Sequence, residues 1–149
     1  MNKNTAVVPN QELWQGKRVL IVDDSPQLII TLRKIYENLG FTIAGTAADG
    51  LEALSAYASL KPDLVSLDII MPNMHGIECL RKLRELDPKA KVLLVSRLAK
   101  DRQASSAYER EIPEYIFVAK PVDPQLLAES LRALFSPPAP VIPSAAPSS

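Results

Sequence analysis

The chain has one cysteine, one histidine, one tryptophan and no surplus of charge of either sign. With Cys79 alone, no intrachain disulfide can form, and the fold has to be held by its core. Such cysteine usage fits a reducing cytoplasm. Lys plus Arg number 17 and Asp plus Glu number 17, so the formal net charge is zero. The chain as a whole lacks the basic excess that draws a protein to nucleic acid or to an anionic membrane. No apolar run approaches the ~20 residues that a membrane-spanning helix needs. The N-terminus lacks the charged-then-apolar order of a signal peptide. These absences lead to the expectation of a soluble cytoplasmic protein with neither a membrane nor a nucleic acid as direct partner.

What is present is an ordinary globular composition, 47% hydrophobic and 23% charged over 149 residues. That favours one domain able to bury a core without staples. The outer segments differ from the middle. Residues 1–16 are polar and weakly patterned and read as an extension, with Leu13 and Trp14 as its docking points. Residues 136–149 are rich in Pro, Ala and Ser. Proline blocks helix and small side chains bury little, so an extended tail is expected there.

Between them, residues 17–135 alternate strand and helix patterns. Arg18–Val22, Phe41–Thr46, Leu64–Leu67, Val92–Val95 and Tyr115–Ala119 are short apolar runs that read as strands. Ser25 with Pro26 starts a helix carrying Leu28, Ile29, Leu32, Ile35, Tyr36 and Leu39, and Gly40 ends it. Ala48-Asp49-Gly50 turns the chain, and Leu51, Leu54, Tyr57, Ala58 and Leu60 mark a second helix, stopped by Lys61-Pro62. Ile77, Leu80, Leu83 and Leu86 mark a third helix, ended near Asp87-Pro88. Residues 100–111 give the weakest helical pattern. Asp123 and Pro124 start a last helix with Leu126, Leu127, Leu131, Leu134 and Phe135 inward. Five such βα units predict an α/β fold, a doubly wound five-stranded parallel sheet with helices on both faces. Ligand sites in such sheets lie beyond the carboxyl ends of the strands.

Polar residues stand at those ends. Asp23 and Asp24 follow the first strand, Asp68 the third, Ser96 the fourth and Lys120 the fifth. Each alone has an ordinary explanation as a cap, a turn or a surface group. Together they gather carboxylates, a hydroxyl and an ammonium at one sheet edge. Oxygen ligands of this kind suit Mg²⁺: Asp24 and Asp68 can each offer a carboxylate oxygen, and Asp23 can hold a coordinating water. A carboxylate can also attack phosphorus to give an aspartyl phosphate, whose added negative charge calls for Mg²⁺ and Lys120 beside it. Ser96 could donate to a phosphoryl oxygen. His75 is read as an exposed loop residue and Cys79 as a small core residue. The Arg81, Lys82 and Arg84 group reads as a solvated helix face.

The motifs Val19-Leu20-Ile21-Val22-Asp23-Asp24-Ser25, Asp63 through Pro72, Val95-Ser96 and Lys120-Pro121-Val122-Asp123, with Gly76, resemble the receiver domains of two-component response regulators. The resemblance spans roughly Lys17 to Phe135. It implies the flavodoxin-like strand order 2-1-3-4-5 and assigns roles. Asp68 becomes the phosphoacceptor, served by a sensor histidine kinase or histidine phosphotransfer protein. Asp23, Asp24, Asp68 and the backbone carbonyl of Ile70 become the Mg²⁺ ligands. Ser96 and Phe117 become the switch pair, and Lys120 the phosphoryl-contacting cation. The Lys120–Pro121 bond is cis in such relatives. The family further implies a switch rather than an enzyme with an independent substrate. Its output would run through the face formed by the 100–111 helix, the fifth strand and the last helix, binding a downstream protein. A stand-alone role is expected, the alternatives being a fragment of a larger regulator or a phosphorelay intermediate.

Two departures from the family pattern carry expectations of their own. Pro113-Glu114 stands where many relatives have Gly-Ala before the fifth strand, which predicts a modified output face. Ile70 and Leu98 are apolar where relatives tune dephosphorylation, which predicts a long-lived phosphoryl group because neither can orient an attacking water.

Overall fold

The computed structural model describes residues 12–97, 110 and 112–136. The predicted 100–111 helix (Arg110 apart), Leu98 and the tail beyond Ser136 lie outside the described residues. Element order is β1 (Arg18–Val22), α1 (Pro26–Asn38), β2 (Thr42–Ala47), α2 (Gly50–Leu60), β3 (Leu64–Asp68), α3 (Gly76–Leu86), β4 (Val92–Ser96), a short 3₁₀ turn (Glu114–Ile116), β5 (Phe117–Ala119) and α4 (Pro124–Phe135). The sheet has five strands in the order β2-β1-β3-β4-β5, every neighbouring pair parallel. From β1 the chain steps one way to β2 and thereafter the other way. Right-handed crossovers therefore place α1 on the opposite face from α2 and α3. The α4 helix closes the α1 side, where the Phe135 ring meets Phe41 edge-on.

The central strands explain themselves. Val19 to Val22, Leu64 to Leu67 and Val92 to Val95 are buried at every position. A parallel strand covered on both faces has no solvent side, so its sequence runs apolar, the buried Ser66 apart, rather than alternating. Helix starts follow local chemistry. The Ser25 side chain accepts the Leu28 amide and Pro26 opens α1. Asp49 accepts the Glu52 amide while the Glu52 carboxylate accepts the Ala48 amide, a reciprocal cap that begins α2 at Gly50. Gly40, at φ +106°, ends α1 in a conformation that side chains rarely adopt.

Several expectations need correction. Leu51, Leu86 and Leu126 are exposed, and so is Ala58. In α2 the buried face is Gly50, Ala53 and Tyr57. A small residue is needed there because α2 packs closely on the β3–α3 loop: a Cβ on Gly50 would stand 2.8 Å from Met74 Cβ. The fifth strand is shorter than its apolar run, since Tyr115 and Ile116 belong to the 3₁₀ turn that starts after Pro113. Trp14 docks on the domain as expected from sequence and joins the core. It is 1% exposed, its indole N–H donates to Leu39 O at 2.8 Å, and its ring stacks on Phe41. Leu13 beside it is exposed. Cys79 is buried and His75 is exposed, as expected from sequence.

Candidate functional site

Strand register builds the site. Val22 pairs with Leu67, Asp68 with Val95, and Ser96 with Ala119. One residue further along β1 is Asp23, and one further along β5 is Lys120. The register therefore delivers Asp23, Asp68, Ser96 and Lys120 to one edge in spatial order. They line an open cleft of about 570 Å³ with Asp24, Ser25, Gln27, Leu28, Ile70 and Arg97. Phe117 is not among the lining residues. It lies half-buried on β5 and borders a separate groove with Tyr115, Val118 and Leu126.

Charge is arranged in depth. Asp23 and Asp68 are 1% and 6% exposed, whereas Asp24 is exposed. Lys120 Nζ bridges the two buried carboxylates, 2.8 Å from Asp23 Oδ2 and 3.4 Å from Asp68 Oδ1. The other Asp23 oxygen accepts the Ser25 amide at 2.9 Å, which ties it to the turn that starts α1. The Asp68 carboxylate accepts the Ile70 amide. Burial pushes the Asp68 carboxyl above its ordinary value; Lys120 draws it down and Asp23 pushes it up again, leaving it raised. Ser96 is 2% exposed, and its carbonyl accepts the Lys120 amide at 2.8 Å, which fixes β5 beside β4 where Lys120 leaves the strand. The peptide bond between Lys120 and Pro121 is cis.

Gly76 holds the loop that carries Ile69 and Ile70. Its amide donates to Ile69 O at 2.6 Å. A Cβ there would stand 2.3 Å from Asp68 O and 2.6 Å from Ile69 Cα, both backbone atoms that cannot swing aside. Only glycine allows α3 to start this close to the end of β3.

Oxygen atoms of Asp23, Asp24 and Asp68 all lie within 4.8 Å of one another. An all-oxygen donor set with two buried members and one open to water fits a hard divalent cation that keeps part of its hydration shell. Sequence reasoning missed Gln27 and Arg97 as lining residues. Arg97 could have been found, since it directly follows Ser96 at the end of β4.

The profile of the response regulator receiver domain matches residues 19–132. The chain belongs to that family. Chemotaxis protein CheY of Thermotoga maritima is 37% identical to this receiver domain over 117 residues, covering 78% of this chain and 96% of that protein. Protein CcdB of Bacillus subtilis is 39% identical over 114 residues, covering 76% and 93%. Among solved structures, a chain of the CheX–CheY–BeF₃–Mg²⁺ complex from Borrelia burgdorferi matches with a TM-score of 0.73 at 35% identity, covering 83% of this chain and 92% of that one. Response regulator TrrA of Thermotoga maritima, solved with Mg²⁺–BeF, matches with a TM-score of 0.68 at 32% identity, covering 79% and 98%. No described helix of the receiver domain is long and apolar enough to cross a membrane.

Proposed function

We propose that this receiver domain is a phosphorylation switch in which Asp68 accepts a phosphoryl group from a phosphohistidine on a sensor kinase or phosphotransfer protein. The observation that carries this reading is the shared cleft, where one lysine bridges two buried carboxylates beside a third. An Asp68 oxygen attacks phosphorus, and the histidine ring leaves. Lys120 is already in place for the charge that the product adds. Ser96, at the neighbouring strand end, can donate to a phosphoryl oxygen. Asp23, Asp24, Asp68 and the Ile70 carbonyl would hold Mg²⁺. When bound, the ion offsets negative charge on the carboxylates and the phosphoryl oxygens. The domain assists its own modification and turns over no independent substrate.

In the same reading, output is binding to a downstream protein in the cytoplasm. Phe117 is the switch aromatic that responds to Ser96. It borders the groove with Tyr115, Val118 and Leu126, which suits an apolar partner surface. A stand-alone role belongs to the same reading, and the two relatives above are themselves of receiver size. Ile70 is exposed and apolar at the cleft mouth, so it cannot orient an attacking water, and slow self-dephosphorylation follows. The test is incubation with Mg²⁺ and phosphoramidate, followed by intact mass and peptide mapping. A single phosphoryl adduct on Asp68, absent from Asp68→Asn, is expected. Modification elsewhere, or none, would sink the reading. Fast adduct loss in wild type, accelerated no further by Ile70→Asn, would sink the claim of a long lifetime.

A further inference from the structure

We propose that the amino-end pole of the sheet, opposite the acceptor cleft, is a docking surface for an acidic segment of another protein that carries apolar side chains among its carboxylates. The inference is independent of the reading of Asp68 as acceptor. Lys17 directly precedes β1, Asp63 directly precedes β3 and Lys91 directly precedes β4. Those three strands are parallel neighbours, so the three side chains start from one edge of the sheet. The length of β3, about 17 Å, separates that edge from Asp68. A hollow of about 540 Å³ lies there, lined by Lys17, Lys89 and Lys91 and by the rings of Tyr57 and Phe135. A second hollow of about 450 Å³ adjoins it. The two share Tyr57, Pro62 and Asp87, and the second adds Lys61 and Leu86.

The charges in these hollows differ in availability. Asp63 Oδ2 accepts the Arg18 amide at 2.8 Å. Asp87 Oδ2 accepts the Tyr57 hydroxyl at 2.7 Å, and the other Asp87 oxygen accepts the Lys89 amide at 3.0 Å. Both carboxylates are thus engaged by the fold. Lys17, Lys61, Lys89 and Lys91 make no ion pair among the described residues. Lys91 Nζ lies instead 5.7 Å from the centroid of the Phe135 ring. Four lysines therefore stand against two engaged carboxylates in a chain whose formal net charge is zero, and the local field favours an anion. Apolar surface lies among them: Leu13 and Leu86, one in each hollow, are 55% and 60% exposed. Such a mixture suits carboxylates for the lysines and an aliphatic or aromatic anchor for each hollow. Both hollows open broadly to solvent and join along one edge, which fits a chain laid across them better than an enclosed small molecule.

The experiment titrates the full chain, isotope-labelled for amide NMR, with three blocked peptides. The first is Glu-Glu-Leu-Glu-Glu-Phe, and the others carry Gln or Lys in place of every Glu. The Glu peptide should bind saturably and shift the amides of Lys17, Tyr57, Lys89 and Lys91. The Gln peptide should bind about tenfold more weakly and the Lys peptide not at all. Each of Lys17→Ala, Lys89→Ala and Lys91→Ala should weaken the Glu peptide about two- to fivefold, and Lys91→Arg, which keeps the charge beside Phe135, should not. Added KCl should weaken that peptide in wild type and matter less when all three lysines are alanine. The amide spectrum of each variant reports its fold in the same measurement. Equal affinity for the Glu and Gln peptides, full affinity in the triple alanine variant, or shifts confined to other faces would overturn the proposal. So would two results on the protein alone. Shifts at these amides that grow with protein concentration would assign the surface to a second copy of the chain. Shifts there on removal of residues 137–149 would assign it to the chain's own tail.

Discussion

Replacing Lys120 with methionine separates the electrostatics of the cleft from the rest of the fold. The ammonium sits 2.8 Å from Asp23 Oδ2 and 3.4 Å from Asp68 Oδ1, with the lysine side chain 8% exposed. Methionine keeps most of the stem's packing and deletes the charge. Three carboxylates with oxygens within 4.8 Å of one another are then left without that cation. One escape is uptake of a proton. Holding a carboxyl of ordinary value protonated at neutral pH costs about 4 kcal/mol. Burial has already raised Asp68, and the cleft opens to water, so the real cost is smaller. A loss of about 2–3 kcal/mol in metal-free buffer is expected, at or below the ~3–5 kcal/mol of a sealed pair.

Mg²⁺ should return part of that loss, because it brings positive charge to the same oxygens. By linkage, each ~1.4 kcal/mol recovered corresponds to about tenfold tighter Mg²⁺ binding by the folded variant. Urea denaturation followed by Trp14 fluorescence, in EDTA and in saturating Mg²⁺, measures both quantities. Equal losses in the two buffers, with Mg²⁺ affinity unchanged, would refute the view that lysine and cation share one cluster of charge.

Other predictions follow from single side chains. Trp14→Ala should cost about 3–5 kcal/mol, as for other large core aromatics, and Trp14→Phe distinctly less; a loss under ~1 kcal/mol for alanine would show that residues before β1 are dispensable. The Tyr57 hydroxyl donates to Asp87 Oδ2 at 2.7 Å and, with the Lys89 amide, holds that carboxyl below its ordinary value. A lowered folded value means that the contribution is present above the ordinary carboxyl range and fades as pH falls through the folded value. Tyr57→Phe should move the Asp87 titration upward in NMR, and an unmoved titration would assign the shift to Lys89 instead. Burial pushes the Cys79 thiol up to about 11, with Glu78 and Asp49 adding to it. It should resist a thiol reagent in native buffer and react once urea unfolds the chain; rapid native labelling would contradict its burial.

The sheet was legible because buried parallel strands have no polar side to confuse the pattern. Leu20, Val65 and Leu93 stand in apolar runs that admit few other readings, and Asp23, Asp68 and Ser96 are marked by where those runs stop. Strand order came from resemblance, since nothing in a single run names its neighbour. Helix faces were read less well. In α2, leucines suggested a stripe through Leu51, but close packing on Met74 selects Gly50 and Ala53 instead. Size, not hydrophobicity, decides that face, and composition weighs the two the wrong way. Leu86 and Leu126 fail for a related reason: each lies on the helical spacing of inward residues, yet stays exposed among the described residues. Trp14 was placed in an extension because one aromatic in a polar stretch has no period to place it. Its partners Leu39 and Phe41 are tertiary.

The site itself shows why its residues were easier to find than its surroundings. Asp23, Asp68 and Ser96 violate the preference for apolar groups at buried positions, and Lys120 answers the two carboxylates. That conflict between local rule and residue type is visible in one dimension. Arg97 and Gln27 violate nothing, because an exposed polar residue after a strand or in a first helical turn is ordinary. The end of β4 marks Arg97 beside Ser96, whereas Gln27 reaches the cleft from the first turn of α1, a placement that strand ends alone do not reveal. Chemistry buried against preference can therefore be read from a sequence. Chemistry that stands in water beside it needs the coordinates, and that is where differences among members of one family should be sought.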